Sequence, residues 1–301
     1  MEQNEKNKFR TIDSCPVCGH TEHNIFLQTK DYFLTGETFS LMQCTSCSFI
    51  FTSPVPEKDN VFNYYNSPEY SSHTLKKNNL FSYLYANARK FNIRQKYRIV
   101  SDYAQSGKIL DVGCGTGELL KYFRDMGWYT TGIEPVDKAR EFAIQQNKIE
   151  VYPEEQLKKF EQDTFDVVTL WHVLEHVYDL NQRLEELKKI LKPEGVLFIA
   201  VPMIDSYDAV HYGSFWGALD VPRHLYHFSK TTMSNLLQKH SFHIVRTYPM
   251  KMDAYYVSLL SERYKKARTP YLNAVVTGFR SNRQAKASGA YSSMIFAVKI
   301  N

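Results

Sequence analysis

The segment Asp111-Val-Gly113-Cys114-Gly115-Thr-Gly117 joins a short apolar run, Lys-Ile-Leu-Asp-Val at 108–112, to a helical run that opens at Glu118. Glycine takes left-handed backbone without a Cβ clash, so three glycines at alternate positions let a loop turn tightly and lie close to a ligand. The helix that follows offers unpaired N–H groups and the positive end of its dipole. A second strand-like run at 129–133 leads into Gly132-Ile-Glu134, which puts a carboxylate about 20 residues after the loop. An acid there is placed to accept hydrogen bonds from the two ribose hydroxyls of a nucleoside-type cofactor. The spacing is GxGxG, which differs from the GxGxxG of dinucleotide sites.

Such a loop requires a strand before it and a helix after it, and the rest of the chain keeps that alternation. Strands are predicted at 129–133, 149–152, 165–171, 196–201, 242–248 and 293–300, and helices at 118–126, 137–146, 179–191, 231–240 and 253–266. Asp179 and Gln182 are spaced as a capping box, and Pro193 and Gly195 mark the end of that helix. The stretch between 266 and 292 reads as irregular. The pattern predicts an α/β fold with a doubly wound sheet. With 301 residues, 43% apolar and 23% charged, the chain has ordinary globular composition and enough length for a large domain and a small one.

The small domain is marked by cysteine. Cys15-Pro-Val-Cys18 and Cys44-Thr-Ser-Cys47 are two CxxC pairs separated by 25 residues, and Cys114 stands alone. Two such knuckles match one tetrahedral zinc site, filled by sulfur and therefore structural. A zinc ribbon is expected over residues 1–58, with short strands at 38–43 and 48–52, ended by Pro54 and Pro56. Residues 59–104 read as an aromatic and helical connector. In it Leu80, Leu84 and Phe91 share one helix face, and Gly107 breaks the pattern.

Taken together, 108–135 (KILDVGCGTGELL…YTTGIEP) and 165–202 (FDVVTLWHVLEHV…LKPEGVLFIAVP) resemble the motifs of class I S-adenosylmethionine-dependent methyltransferases. The two CxxC knuckles ahead of them are similar to the N-terminal zinc-binding module of bacterial sugar C-methyltransferases, whose further C-terminal domain is expected to be absent. The resemblance implies a Rossmann-like seven-stranded sheet over 105–301, in the order 3-2-1-4-5-7-6 with strand 7 antiparallel. It also implies two cofactors, S-adenosylmethionine and a structural zinc. Asp111, Gly113, Cys114, Gly115 and Gly117 would line the methionine and ribose end, and Glu134 would hold the ribose. Residues near Glu155–Leu157 would flank adenine. Trp171 and His172 would sit beside the transferred methyl.

In-line methyl transfer needs a held nucleophile and, for many acceptors, a base. Two segments supply histidine: His172-Val-Leu-Glu175-His176, and Asp220-Val-Pro-Arg223-His224-Leu-Tyr-His227 after the fifth strand. His172 and His224 are the candidate catalytic residues. A metal held by His172, Glu175, His176 and His224 is a second reading, since some O- and RNA 2′-O-methyltransferases of this fold use a Glu-x-x-Glu-His set; here His172 replaces the first Glu. Arg223 pairs either with a substrate phosphate or with Asp220. Tyr65, Tyr70 and His73, on the connector, are further candidate substrate contacts. Tyr212 and Trp216 read equally as packing or contact residues.

The expected activity is methyl transfer to a small-molecule acceptor, a sugar or nucleotide-sugar. The alternatives are an RNA methyltransferase and a non-catalytic cofactor-binding protein. Net charge is only +5, and the basic segments at 263–268 and 280–286 read as solvated surface, so nucleic acid is not the expected partner. The polar N-terminus carries no signal core, and the longest apolar run, 196–201, is far short of the ~20 residues of a membrane span. A cytoplasmic protein without a membrane partner is therefore expected.

Overall fold

The computed structural model describes residues 8–65 and 80–301, with side chains from residue 89 onward in the second stretch. Its elements, in chain order, are β1 (Phe9–Arg10), β2 (His23–Lys30), β3 (Thr38–Cys44), β4 (Ile50–Thr52), β5 (Val55–Pro56), α1 (Leu80–Ser101), β6 (Lys108–Val112), α2 (Glu118–Asp125), β7 (Tyr129–Ile133), α3 (Asp137–Asn147), β8 (Glu150–Tyr152), β9 (Phe165–Trp171), α4 (Leu180–Ile190), β10 (Leu191–Pro202), α5 (Tyr207–Tyr212), β11 (Tyr226–His227), α6 (Lys230–Lys239), β12 (Phe242–Pro249), α7 (Asp253–Tyr264), α8 (Pro270–Ser288) and β13 (Ser293–Ile300). A seven-stranded mixed sheet runs β8-β7-β6-β9-β10-β13-β12. That is the expected order 3-2-1-4-5-7-6. β6 pairs in parallel with β7 and β9, and β7 with β8.

The chain forms two compact units. One comprises 68–173, 182–199 and 297–301 and carries the glycine loop. β6 and β9 are buried on both faces, with Ile109, Leu110, Val167, Val168 and Leu170 inaccessible, as their mainly apolar runs require. The other comprises the first 67 residues, 174–181 and 200–296. There β2, β3 and β4 form an antiparallel sheet whose fourth strand is β11, paired as Tyr226 to Phe51 and His227 to Ile50. Phe39, Leu41 and Ile50 share a buried cluster with Trp216, Leu219 and Val257.

Several sequence expectations shift. The stretch expected to be irregular contains α8, with Pro270 in its first turn and Gly289 in left-handed conformation just past its end. Those are ordinary helix boundary signals, masked because the buried line is made of small residues and the larger apolar ones lie on the exposed face. β10 begins at Leu191, so Pro193 and Gly195 lie within its exposed start rather than at a helix end. β2 was not anticipated, because its alternating burial follows apolar and polar residues only loosely. Phe91 is exposed, so the proposed face of α1 is not a buried one at that position; the side chains of Leu80 and Leu84 lie outside the described residues. No described helix is long and apolar enough to cross a membrane.

Candidate active site and cysteine cluster

The glycine loop takes the backbone its sequence demands. Gly113, Gly115 and Gly117 all have positive φ, at 74°, 54° and 75°. A Cβ at Gly113 would lie 2.5 Å from Val173 Cγ2, whereas one at Gly115 would meet nothing within 4 Å. The loop is tied to β7 by the N–H groups of Gly113 and Cys114, which both donate to Ile133 O at 2.7 and 3.0 Å.

Glu134 closes the arrangement. Its Oε2 accepts from Gly115 N–H at 2.8 Å and its Oε1 from Val136 N–H at 2.9 Å. One lone pair on each oxygen remains for a ligand hydroxyl. Burial raises the Glu134 carboxyl, against the backbone N–H groups and Arg140, which lower it. Asp111 is buried at the end of β6, where it accepts from Thr169 Oγ1 at 2.5 Å. Burial pushes its carboxyl up to about 7, opposed by Thr169 and Lys96. Lys96 Nζ stands 4.4 Å from the Trp171 ring centroid. Trp171 Nε1 is buried and finds no acceptor among the described residues. His172 follows with φ +57°, a conformation that β-carbon residues adopt at a cost and that clusters at functional positions. Open space at Gly115, a braced carboxylate and a buried indole N–H together fit a nucleoside cofactor. Of the residues expected near adenine, Leu157 is buried and Glu155 exposed, in a short 3-10 turn after β8.

The raised Asp111 value has a consequence that can be measured. Below about pH 4 the group is protonated whether the chain is folded or not. Between there and about pH 7 the unfolded chain ionises first, so the folded state pays a penalty that is complete above pH 7. A cationic ligand beside Asp111 favours ionisation. Binding of such a ligand at pH 6 should therefore release protons, read by calorimetry in two buffers of different ionisation enthalpy. Asp111→Asn should abolish the release.

The second histidine segment lies in the other unit. Arg223 is nearly inaccessible, and every guanidinium nitrogen is committed. Nε donates to both Asp220 oxygens at 3.0 Å, Nη1 to Tyr64 O at 2.9 Å, and Nη2 to Asp31 Oδ1 at 2.8 Å and Asp220 Oδ1 at 2.7 Å. Of its two expected partners the structure shows the carboxylate, which takes Nε–H and one Nη2 N–H. Asp31 was not anticipated. It also accepts from the N–H groups of Phe33, Leu34 and Thr35, and the Asp-x-x-x-Thr-Gly turn was the signal for it.

His224 is buried, with Nδ1–H donating to Ala218 O at 2.9 Å, which leaves the lone pair on Nε2. Its ring meets the His176 ring edge-on at 4.5 Å. His176 Nδ1–H donates to Arg223 O at 3.0 Å, with the Tyr65 hydroxyl oxygen 3.1 Å away. Burial, reinforced by His224, lowers His176 to about 4, so it is neutral at pH 7. Thr52 Oγ1–H donates to His224 O at 2.8 Å and therefore accepts from His227 Nε2–H at 3.0 Å. One ligand atom each from Glu175, His176 and His224 lies within 4.8 Å of the others. His172 is not in that group. Tyr212 and Trp216 are packing residues: the Tyr212 hydroxyl donates to Glu262 and the Trp216 indole to Asp208, both at 2.9 Å within the core. Tyr70 and His73 lie outside the described residues.

The two cysteine knuckles are built alike. In each, the N–H four residues after the first cysteine donates to that cysteine's carbonyl, Gly19 to Cys15 at 2.8 Å and Ser48 to Cys44 at 3.0 Å. Both closing residues have positive φ, +77° and +60°. All four Sγ atoms lie within 4.8 Å of one another, with Cys15–Cys47 and Cys18–Cys44 at 3.5 Å. A ZnS4 tetrahedron with bonds of about 2.3 Å has sulfur atoms about 3.8 Å apart. The donor set and geometry are compatible with zinc.

The sequence profile of the family described as "Methyltransferase domain" matches residues 85–247, more than half of the chain. The chain belongs to the methyltransferase-domain family. Curated relatives that match the methyltransferase domain include the ubiquinone biosynthesis O-methyltransferase of Actinobacillus pleuropneumoniae, 33% identical over 136 residues, which cover 41% of this chain and 58% of that protein. The mitochondrial ubiquinone biosynthesis O-methyltransferase of Homo sapiens is 38% identical over 102 residues, covering 31% and 28%. The chain thus spans little more than half of the first of these relatives and less of the second. Among solved structures, a SAM-dependent methyltransferase from Archaeoglobus fulgidus aligns at 18% identity and TM-score 0.49, covering 70% of this chain and 94% of that one.

Proposed function

We propose that this protein transfers a methyl group from S-adenosylmethionine to a small-molecule acceptor, with a sugar or nucleotide-sugar as the first class. The observation that carries the cofactor assignment is Glu134, braced by the N–H groups of Gly115 and Val136 beside the open space at Gly115. When bound, the cofactor supplies the electrophilic methyl and a neutral thioether leaving group. Glu134 holds the ribose hydroxyls, and the loop from Gly113 to Gly117 admits the ribose and methionine portion with Asp111 and Cys114 beside it. Trp171 and His172 flank the reacting end. His224 is the candidate base, because its Nδ1–H is fixed on Ala218 O and its Nε2 is left to take a proton. His172 is the candidate on the cofactor side. The sugar class is supported by the four-cysteine cluster ahead of the domain. The curated relatives favour a second class, the oxygen acceptor implied by the name ubiquinone biosynthesis O-methyltransferase.

Calorimetric titration with S-adenosylhomocysteine tests the cofactor. Micromolar-range binding is expected, lost in Glu134→Ala, with NADH giving no heat. Binding of NADH in its place would refute the assignment. His224→Asn should leave S-adenosylhomocysteine affinity unchanged. In a radiolabelled methyl-transfer screen of nucleotide-sugars and hydroxyl-bearing ubiquinone precursors, that variant should lower turnover about 10²–10⁴-fold on whichever acceptor the parent accepts.

A further inference from the structure

α8 is packed inside out. Its inward line is made of small residues, Ala274, Thr277, Gly278, Ser281 and Ala285. A Cβ at Gly278 would lie 2.6 Å from Tyr255 Cδ1, and Ser281 Oγ donates to Asp208 Oδ1 at 2.7 Å. The larger apolar side chains point the other way. Tyr271, Leu272, Val275, Val276 and Phe279 are all exposed, Leu272 by 65% and Phe279 by 59%. They occupy one stripe over the first half of the helix. Scattered exposed apolar residues are ordinary, but a contiguous stripe marks an interaction face.

The charge along the chain on either side of that stripe is of one sign. Arg263, Lys265, Lys266 and Arg268 precede it, and Arg280, Arg283 and Lys286 follow on the same helix. From residue 263 to 301 there is no Asp or Glu. Read from sequence alone, these basic segments are solvated surface; the exposure of the side chains between them changes that reading.

We propose that the outer face of α8, with the basic residues at both of its ends, docks this protein on an anionic lipid surface. A helix with an apolar face and a cationic border lies in the bilayer interface, its apolar side chains among the headgroups and its cations on lipid phosphate. A second copy of the chain fits poorly, because a two-fold contact across this face would set like charges against each other. A nucleic acid fits less well, because between the rings of Tyr271 and Phe279 the stripe is aliphatic, and Leu272, Val275 and Val276 offer a base neither hydrogen bonds nor a stacking ring.

The test is co-sedimentation of the full chain with vesicles of 3:1 phosphatidylcholine:phosphatidylglycerol, beside pure phosphatidylcholine. Binding is expected to the first, to be much weaker to the second, and to fall with added salt. The substitutions R280Q/R283Q/K286Q should weaken it about fivefold for each charge removed. L272D/F279D should weaken it more than tenfold. Thermal unfolding shows whether each variant is folded, and the charge variant carries the test if the aspartates perturb folding. Failure of the folded parent to sediment with anionic vesicles overturns the proposal. So does undiminished binding by both variants. A parent that ignores vesicles but forms a dimer broken by L272D/F279D, or is retained on RNA, assigns the face to another partner and equally overturns it.

Discussion

Arg223→Met should destabilise the protein by about 3–5 kcal/mol, because it strands two carboxylates that face one guanidinium. Asp31 has no accessible surface on its side chain, and Arg223 almost none. Burial alone would raise Asp220, but the guanidinium and His224 outweigh it and hold Asp220 below the usual carboxylate range. Its contribution is therefore present at neutral pH and is lost as pH falls below about 4, through the depressed folded value. A denaturant titration of the protein with tryptophan fluorescence measures the effect. The triple variant Asp31→Asn, Asp220→Asn, Arg223→Met should recover part of the loss, since it removes the charges together. Equal midpoints for parent and Arg223→Met would show that the ion pair contributes nothing to the fold.

The second large effect concerns the cysteine cluster. Cys44→Ser should reduce bound zinc from about one per chain to a small fraction and unfold the region around β2, β3 and β4. Burial pushes the Cys15 thiol up to about 11, and a divalent cation would offset that cost by holding it as the thiolate. The apparent binding energy of such sites, about 10–16 kcal/mol, exceeds the whole stability of many domains. Metal analysis together with amide exchange across 23–52 would report it. Fast exchange in β3 of the variant, with β6 and β9 still protected, is the expected pattern. Metal-free parent protein with β3 fully protected would remove zinc from the fold.

What could be read from the chain alone follows from how local each determinant is. β6, β9 and β13 have the bounds their apolar runs predict, because a strand buried on both faces is apolar over most of its length. The acid at Glu134 and the left-handed glycines are short-range features with one physical use. By contrast, nothing near Arg223 says that Asp31 will face it, since that pairing is made by the fold across most of the chain. α8 was missed because its buried line is alanine, glycine, serine and threonine, so the usual apolar periodicity points to the wrong face. The knuckles' cysteines were plain from spacing, while β11 completing their sheet was not.

That last pairing has a consequence for biosynthesis. β4 has β3 on one side and β11 on the other, and β11 lies more than 170 residues later. A ribosome adding about 5–20 residues per second takes on the order of ten seconds to reach it. During that interval Phe51 and its neighbours present an unfinished strand edge to the cell. A chaperone that covers this edge until β11 emerges should therefore raise the yield of native chains.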